Sequence, residues 1–208
     1  MLTIDHVVFA VRDLDEAAEH VLEEHGLASV PGGVHPRWGT ANRIIPLGNA
    51  QYLELLAVVD PDVAATTPLG RALAATTAAG DGWFAMCLAT DEIESVAGRL
   101  DLDVVPGSRA LPDGGLVSWR GAGLEDAIRT RDLPFFIAWD VPMSLHPGSM
   151  PIEHPRGATG IAWVEVDGDQ ARFTAWVDAA PLPVRFHAGE PGVRAVALPT
   201  PTGQVVWR

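Results

Sequence analysis

The stretch IDHVVFAVRDLDEAAEHVLEEHGL, residues 4–27, predicts a buried strand that leads directly into an amphipathic helix. Apolar residues dominate its first part, as a strand covered on both faces requires. Asp13 then stands where a helix cap belongs, an apolar stripe follows at helical spacing, and Gly26 ends the helix. The acid and the imidazole inside the strand, Asp5 and His6, are therefore the residues that need an explanation.

The same pattern returns twice along the chain. The predicted cap residues Asp13, Asp91 and Asp167 are 78 and 76 residues apart. Three extended stretches follow the first helix and later copies end in comparable strands, so the sequence predicts tandem copies of one βαβββ unit. The predicted units are residues 1–60, residues 81–141 and a third, shortened copy at 158–208, with connectors at 61–80 and 142–157.

The two connectors differ in composition. The first is rich in Ala, Thr and Pro and is expected to hold one short helix over residues 69–75. The second is rich in Pro and Gly, so we expect an irregular crossover along the surface, with His146 exposed on it.

Composition excludes several classes of protein. A net charge of -13 repels phosphate backbones, so no nucleic-acid partner is expected. No apolar run reaches the ~20 residues of a membrane span, and we expect a soluble, cytoplasmic protein. All 14 basic residues are Arg, so no lysine anchors pyridoxal phosphate. No glycine-rich phosphate loop follows a strand, and no nucleotide cofactor is expected.

Five motifs carry a resemblance to a known family. They are DHVVFAV (5–11), GGVHPRWGTANRIIPLG (32–48), YLELLAV (52–58), SRALPDGGLVSW (108–119) and PFFIAWD (134–140). Together they resemble the glyoxalase-like domain family of the vicinal oxygen chelate superfamily, which includes glyoxalase I, extradiol dioxygenases and bleomycin-resistance proteins. The resemblance implies an α+β fold in which tandem βαβββ modules form a curved mixed sheet around a cleft.

The resemblance also implies a divalent metal ion, Zn, Ni, Mn or Fe, held by residues on the first and last strands of each module. By position, His6 and Glu54 are the ligands from the first module. The second module has Phe84 and Phe135 at the matching positions, and phenylalanine cannot ligate a metal. The metal site is therefore predicted to be incomplete, with His35 as the nearest further donor.

Three interpretations of the pair formed by His6 and Glu54 stay open. The pair is half a metal site, a general acid/base pair, or a buried pair in which each side chain only satisfies the hydrogen-bonding groups of the other. Strand alternation places His6 on the cleft face together with Ile4 and places Cys87 on the helix face, buried and inert.

Further polar and aromatic residues are predicted to bind a ligand in the cleft. They are His35, Trp38, Thr40, Asn42, Arg109, Trp119, Phe135 and Trp139. Arg109 would offer a cation to a carboxylate or an enolate, and Pro112 to Gly114 after it form a turn signal. The alternatives are an exposed glycine-rich hairpin around Trp38, a surface arginine paired with an acid, and aromatic residues that only fill the core.

The leading functional hypothesis is an enzyme of the lyase or isomerase type with Glu54 and His6 as catalytic residues. Glu54 would act as a base on a carbon acid next to a carbonyl group. The alternative is a protein that sequesters a small molecule without turnover, as bleomycin-resistance proteins do. A third hypothesis is a protein that has kept the fold but lost the site, because Phe and Trp side chains fill the cleft. The third unit is predicted either to pack on the outside of the cup that the curved sheet forms or to pair with the third unit of a second copy in a homodimer.

Overall fold

The first unit contains four strands and one helix. The computed structural model describes residues 1–110 and 115–208 of the chain. The unit runs β1 (Thr3–Ala10), α1 (Leu14–His25), β2 (Val30–His35), β3 (Thr40–Gly48) and β4 (Gln51–Val58). Its strands pair in the order β2-β3-β4-β1, with the last strand parallel to the first.

The second unit repeats this arrangement with one added helix. Helices α2 (Pro61–Thr66) and α3 (Pro68–Ala79) lead to β5 (Gly82–Ala89), α4 (Ile93–Leu100), β6 (Val104–Ala110), β7 (Leu116–Ala122), α5 (Leu124–Thr130) and β8 (Phe135–Trp139). Strand β5 pairs antiparallel with β1, so both units share one eight-stranded sheet in the order β2-β3-β4-β1-β5-β8-β7-β6. The predicted α+β fold of tandem βαβββ modules with a curved mixed sheet is confirmed. The turn predicted at residues 112–114 lies outside the described residues.

Helix α1 begins and ends as its sequence predicts. The Asp13 side chain accepts hydrogen bonds from the backbone N–H groups of Asp15 and Glu16. Gly26 ends the helix in the left-handed conformation at φ 64°, which glycine adopts without steric cost. The other two predicted caps are wrong by one or two residues. Helix α4 is preceded by Glu92, and α6 (Gln170–Trp176) is capped by Asp169, because Asp167 still belongs to a strand.

The third segment has the same order of elements but a different pairing. After β9 (Trp163–Asp167) and α6 come β10 (Val184–His187), β11 (Gly192–Thr200) and β12 (Gly203–Trp207). In the first two units the last strand lies parallel to the first, but here the second strand, β10, takes that place beside β9. The third segment forms a separate sheet in the order β10-β9-β11-β12. The unit boundaries proposed from the sequence stay predictions.

Two apolar clusters cover the two faces of the large sheet. The convex face packs against α1, α4 and the third segment, with Trp207 contacting Phe9 and Trp83 at centroid distances of 4.4 and 4.8 Å. The third segment therefore packs on the outside of the cup. On the concave face, Leu69 and Leu73 of α3 pack against the sheet together with α5. Part of the cup is thus filled by helices, and the rest stays open.

The connectors contribute more structure than the sequence suggests. The first forms α2 and α3 instead of one short helix. The second forms two 3-10 turns, Met143–Leu145 and Pro147–Ser149, and folds back on β3 and β4. His146 is buried between these turns, so its predicted surface position is wrong. Among the described residues, no helix combines the length and the hydropathy that crossing a bilayer requires.

A bulge in β1 changes which side chains face the concave side. Ile4 pairs with Leu88 and His6 pairs with Cys87, so Asp5 is an extra residue on β1. Asp5 and His6 therefore lie on the same side, and ligand atoms of Asp5, His6 and Cys87 lie within 4.8 Å of one another. Ile4 packs in the convex cluster instead. The predictions that Ile4 shares the face of His6 and that Cys87 faces the helices are wrong. The extra residue Asp5 interrupts the alternation of β1, and a second irregularity interrupts that of β5, because Val8 pairs with Ala85 and Phe9 pairs with Trp83, which leaves Phe84 as an extra residue.

Candidate functional site

A cavity of about 500 Å³ opens on the concave face between the two units. Strands β1, β4, β5 and β8 form its floor, and Leu69 of α3, Leu124 of α5 and Pro147 of the second connector contribute to its walls. Its aromatic lining residues are Trp38, Tyr52, Phe84, Trp119, Phe135, Phe136 and Trp139. A pocket of this size with an apolar lining and a few polar groups is typical of small-molecule sites.

The structure brings together most of the residues predicted from the sequence. His6, His35, Trp38, Asn42, Glu54, Arg109, Trp119, Phe135 and Trp139 all line the cavity. Thr40 is buried outside the lining, and its Oγ1 lies 3.0 Å from Nδ1 of His35. Thr40 thus orients a lining residue instead of facing a ligand. Phe84, opposite His6 in the repeat, also lines the cavity.

Asp5 is a buried carboxylate that accepts hydrogen bonds from three side chains. Its Oδ1 accepts from Nδ1 of His6 at 2.6 Å, and its Oδ2 accepts from Nε1 of Trp139 at 2.9 Å and from Nε2 of His146 at 3.1 Å. Burial alone would raise the pKa of Asp5, but the bonds and charges of the two histidines lower this pKa to about 2. Asp5 is therefore ionised at neutral pH.

The Asp5 carboxylate determines how His6 faces the cavity. A carboxylate only accepts hydrogen bonds, so Nδ1 of His6 carries the proton. In the neutral ring the lone pair lies on Nε2, which is 3.7 Å from Oε2 of Glu54. Tyr52 stacks on the ring at 4.5 Å and Phe135 contacts it edge-on at 5.5 Å. His6 is thus held by contacts on several sides with one basic nitrogen directed at Glu54.

Glu54 is held by a chain of hydrogen bonds that starts in β2. A bulge at Gly32 and Gly33 directs the Gly33 N–H to Oδ1 of Asn42 at 2.7 Å. Nδ2 of Asn42 then donates to Oε1 of Glu54 at 2.5 Å. A Cβ on Gly32 would lie 2.1 Å from Oδ1 of Asn42, so any larger residue there would displace the Asn42 side chain. Asn42, predicted to bind ligand, lines the cavity and also orients Glu54, which leaves Oε2 of Glu54 directed toward His6.

Arg109 connects the two edges of the eight-stranded sheet. Its side chain leaves β6, and Nη1 donates to the carbonyl oxygen of Gly32 in β2 at 2.9 Å. Arg109 is 7% exposed, which is incompatible with the surface arginine considered from the sequence. Burial lowers the pKa of its guanidinium and the charges of Tyr52 and Glu54 raise it, but an arginine stays protonated at neutral pH. The cavity therefore contains a buried cation.

His35 is the second histidine of the cavity wall. Burial lowers its pKa, against the opposing effect of Glu54, so the ring is neutral at pH 7. It contacts Trp38 at a centroid distance of 5.6 Å. His35 thus offers a neutral polar edge beside the indole.

Sequence reasoning missed two residues that hold His6 in place. Asp5 was visible as the neighbour of His6, but regular alternation assigns neighbours to opposite faces. His146 receives the N–H of Gly148 on Nδ1 at 3.0 Å and reaches Asp5 from the second connector. Nothing in the local pattern around His146 indicates this contact, because it depends on how the connector folds back.

The described residues do not fit the metal site that the resemblance implies. Asp5, His6 and Cys87 form the group whose ligand atoms lie close enough to share an ion. Both oxygens of Asp5 already accept hydrogen bonds, and burial raises the pKa of the Cys87 thiol well above its usual range. Among the described residues, His35, the further donor predicted from the sequence, forms no group of three close ligand atoms with His6 and Glu54. These two then remain as donors, fewer than the three that catalytic metal sites use.

We expect Ni²⁺, Zn²⁺ or Mn²⁺ to raise the melting temperature of the dialysed protein by less than about 2 °C, since the residues that the structure describes offer no complete ligand set. Scanning calorimetry with each ion, on the wild type and on His6→Ala, measures this. A stoichiometric ion that raises the melting temperature of the wild type and not of His6→Ala would contradict the expectation.

Comparisons with known proteins agree with this architecture. A family model described as "Glyoxalase-like domain" matches residues 4–180. A hypothetical protein from Staphylococcus aureus has a solved structure that is 20% identical, with a TM-score of 0.77 over 96% of this chain and 92% of that one. Methylmalonyl-CoA epimerase from Mycobacterium tuberculosis is 18% identical, with a TM-score of 0.45 over 67% of this chain and 89% of that one. No curated protein matches the chain.

Proposed function

The chain belongs to the glyoxalase-like domain family, and on that premise we propose that its cavity is the active site of an enzyme. The proposed reaction removes a proton from a carbon next to a carbonyl group, as lyases and isomerases of carbonyl compounds do. One observation carries the proposal. Glu54 presents Oε2 to the cavity within 3.7 Å of Nε2 of His6, while its other oxygen is fixed by Asn42.

Glu54 is the proposed base because its geometry suits proton transfer. One carboxylate oxygen held by an amide keeps the other oriented, and an oriented carboxylate is an effective general base. The C–H bond breaks, the proton goes to Oε2 of Glu54, and the electron pair moves onto the substrate carbonyl oxygen. His6, with a basic Nε2 beside Oε2, can take up the proton and return it at another position.

Arg109 is the proposed partner of the developing negative charge. A buried guanidinium stabilises an enolate oxygen more strongly than an exposed one, since water does not screen it. Arg109 lines the cavity together with Glu54, and the charges of the two groups affect each other. Base and cation thus lie in the same cavity, an arrangement that suits enolate formation.

Deuterium exchange tests the proposal without knowledge of the complete reaction. The protein is incubated in D₂O with a panel of 2-oxo acids and 2-hydroxy ketones, and loss of the C–H signal next to the carbonyl is followed by NMR. We expect catalysed exchange on at least one class of compound. No exchange on any compound that binds would overturn enzymatic function and favour the alternative below.

The alternative is a protein that binds a small molecule without turnover. Phe84 and Phe135 line the cavity where further polar groups would stand in a complete site, and they favour a ligand held by apolar contact. In that case Glu54→Gln leaves binding unchanged and the wild type shows no exchange.

We also propose that the chain forms a homodimer. Strands β10 and β12 are the edges of the small sheet, and an unpaired edge is a natural site for pairing with a second copy. Light scattering is expected to give the mass of a dimer. A monomer at micromolar concentration would contradict this proposal.

A further inference from the structure

We infer that the cavity accepts a compact free acid, with one anionic group on a flat apolar body, and rejects substrates carried on phosphate groups, such as coenzyme A thioesters. This inference rests on the proposed function, because it names the class of substrate that the same cavity takes. The distribution of charge along the cavity carries it.

The inner part of the cavity offers one cation. Arg109 is the one basic side chain among the described residues that line it, apart from the histidines His6 and His35. The side-chain hydrogen bond that Arg109 makes within the described residues goes to the neutral carbonyl oxygen of Gly32, and no described carboxylate forms an ion pair with its guanidinium. The charge of Glu54 acts on Arg109 across the cavity without an ion pair between them. A single carboxylate on the ligand would therefore supply the direct ionic partner that the described residues do not provide.

The walls next to Arg109 suit a flat apolar body. Gly107 lies under Trp119, since a Cβ there would be 2.4 Å from the indole. Trp119 contacts Trp139 at a centroid distance of 5.6 Å, and Phe135 continues this wall toward His6. Rings and planar conjugated groups pack well on such a surface.

The outer part of the cavity is acidic. We call Asp101, Asp103, Glu125 and Asp126 the acidic mouth, because they line the cavity and the first three are exposed. Arg129 pairs with Asp126, but no ion pair among the described residues neutralises Asp101, Asp103 or Glu125. A mouth of one sign repels ligands of the same sign, and a net charge of -13 adds to the repulsion.

The cavity is too small to hold a carrier group such as coenzyme A, which would therefore lie at the acidic mouth. About 500 Å³ is in the lower half of the range for small-molecule pockets, and α3, α5 and Pro147 occupy the space around it. An acyl group fits inside, but the phosphates of a coenzyme A ester would stay outside, next to the exposed carboxylates. A free acid carries one charge past the mouth to Arg109 and, once bound, leaves no charge next to these carboxylates.

Four compounds that share one phenyl ring test the inference. They are phenylacetate, phenylacetamide, phenethylamine and phenylacetyl-CoA, titrated into the folded protein by calorimetry at low salt. We expect phenylacetate to bind about tenfold or more tightly than the amide, as a charged hydrogen bond to a buried guanidinium predicts. The amine and the coenzyme A ester should bind more weakly than phenylacetate.

Two sets of variants separate the inner cation from the acidic mouth. Arg109→Gln should remove the preference for phenylacetate over phenylacetamide, and Arg109→Lys should retain it, which guards against a loss of folding. The double variant Asp103→Asn with Glu125→Gln should tighten phenylacetyl-CoA binding several-fold and leave phenylacetate unchanged. Asp91→Asn with Glu19→Gln makes the same change in net charge elsewhere and should have no such effect.

The inference is overturned if phenylacetyl-CoA or phenethylamine binds as tightly as phenylacetate, or if none of the four compounds binds. The order of binding does not depend on turnover. If the order holds but no compound exchanges deuterium, the proposed enzymatic function fails and the ligand class stands.

Discussion

Replacement of Glu54 by Gln is expected to lower the rate of catalysed deuterium exchange by about 10²- to 10⁴-fold, the usual contribution of a general base. Gln has the shape of Glu and can still accept the hydrogen bond from Asn42, so the local structure should persist. What the variant loses is the oxygen at 3.7 Å from Nε2 of His6 that takes the proton.

Two measurements make the result specific to Glu54. Binding of phenylacetate to Glu54→Gln should stay within a few-fold of the wild type, because Arg109 is untouched. Glu19→Gln, an exposed change on α1, should exchange at the wild-type rate. If Glu54→Gln retains full exchange, the base is another group and His6 becomes the first candidate.

Replacement of Asp5 by Asn is expected to lower the free energy of unfolding by about 3 kcal/mol or more, because it removes the charge from a buried hydrogen-bonded network. Asp5 accepts from His6, Trp139 and His146, and an amide would place its own N–H₂ against one of these donors. Urea unfolding measures the loss. Asp91→Asn, at an exposed position, should change the free energy of unfolding by less than about 0.5 kcal/mol.

The pH dependence of stability gives a second readout for Asp5. Its pKa is about 2 in the folded chain against 3.8 for the free group, so the ionised form favours folding. This contribution, about 2 kcal/mol from the shift, is fully present above pH 3.8 and is lost as the pH falls toward 2. The wild type should therefore lose more stability than Asp5→Asn over this interval. Parallel losses in the two proteins would contradict the assignment.

The parts of the fold that local periodicity encodes are predictable from the sequence. Helix α1 begins at the cap of Asp13 and ends at Gly26 because both signals act within one turn of the helix. His6 and Glu54 face the same cavity because they lie on neighbouring parallel strands that keep their alternation near these positions. The aromatic positions Phe84 and Phe135 follow from the repeat.

The parts that depend on distant contacts are not predictable in the same way. Asn42 lines the cavity, but its role in orienting Glu54 requires the bulge at Gly32 and Gly33. Helix α3 fills part of the concave face because the sheet leaves apolar surface there, which no residue of α3 reveals alone. His146 reaches Asp5 only because the second connector folds back over β3 and β4.

The extra residue in β1 has a consequence for how chains of this kind diverge. Asp5 and His6 share a side because two residues of β1 stand opposite the single residue Cys87. Deleting one residue before His6 would restore a regular ladder and keep every strand, yet it would separate the imidazole from its carboxylate. The contact between Asp5 and His6 therefore depends on the extra residue in β1. A related chain with Asp-His at these positions forms the same contact only if its first strand also contains that extra residue.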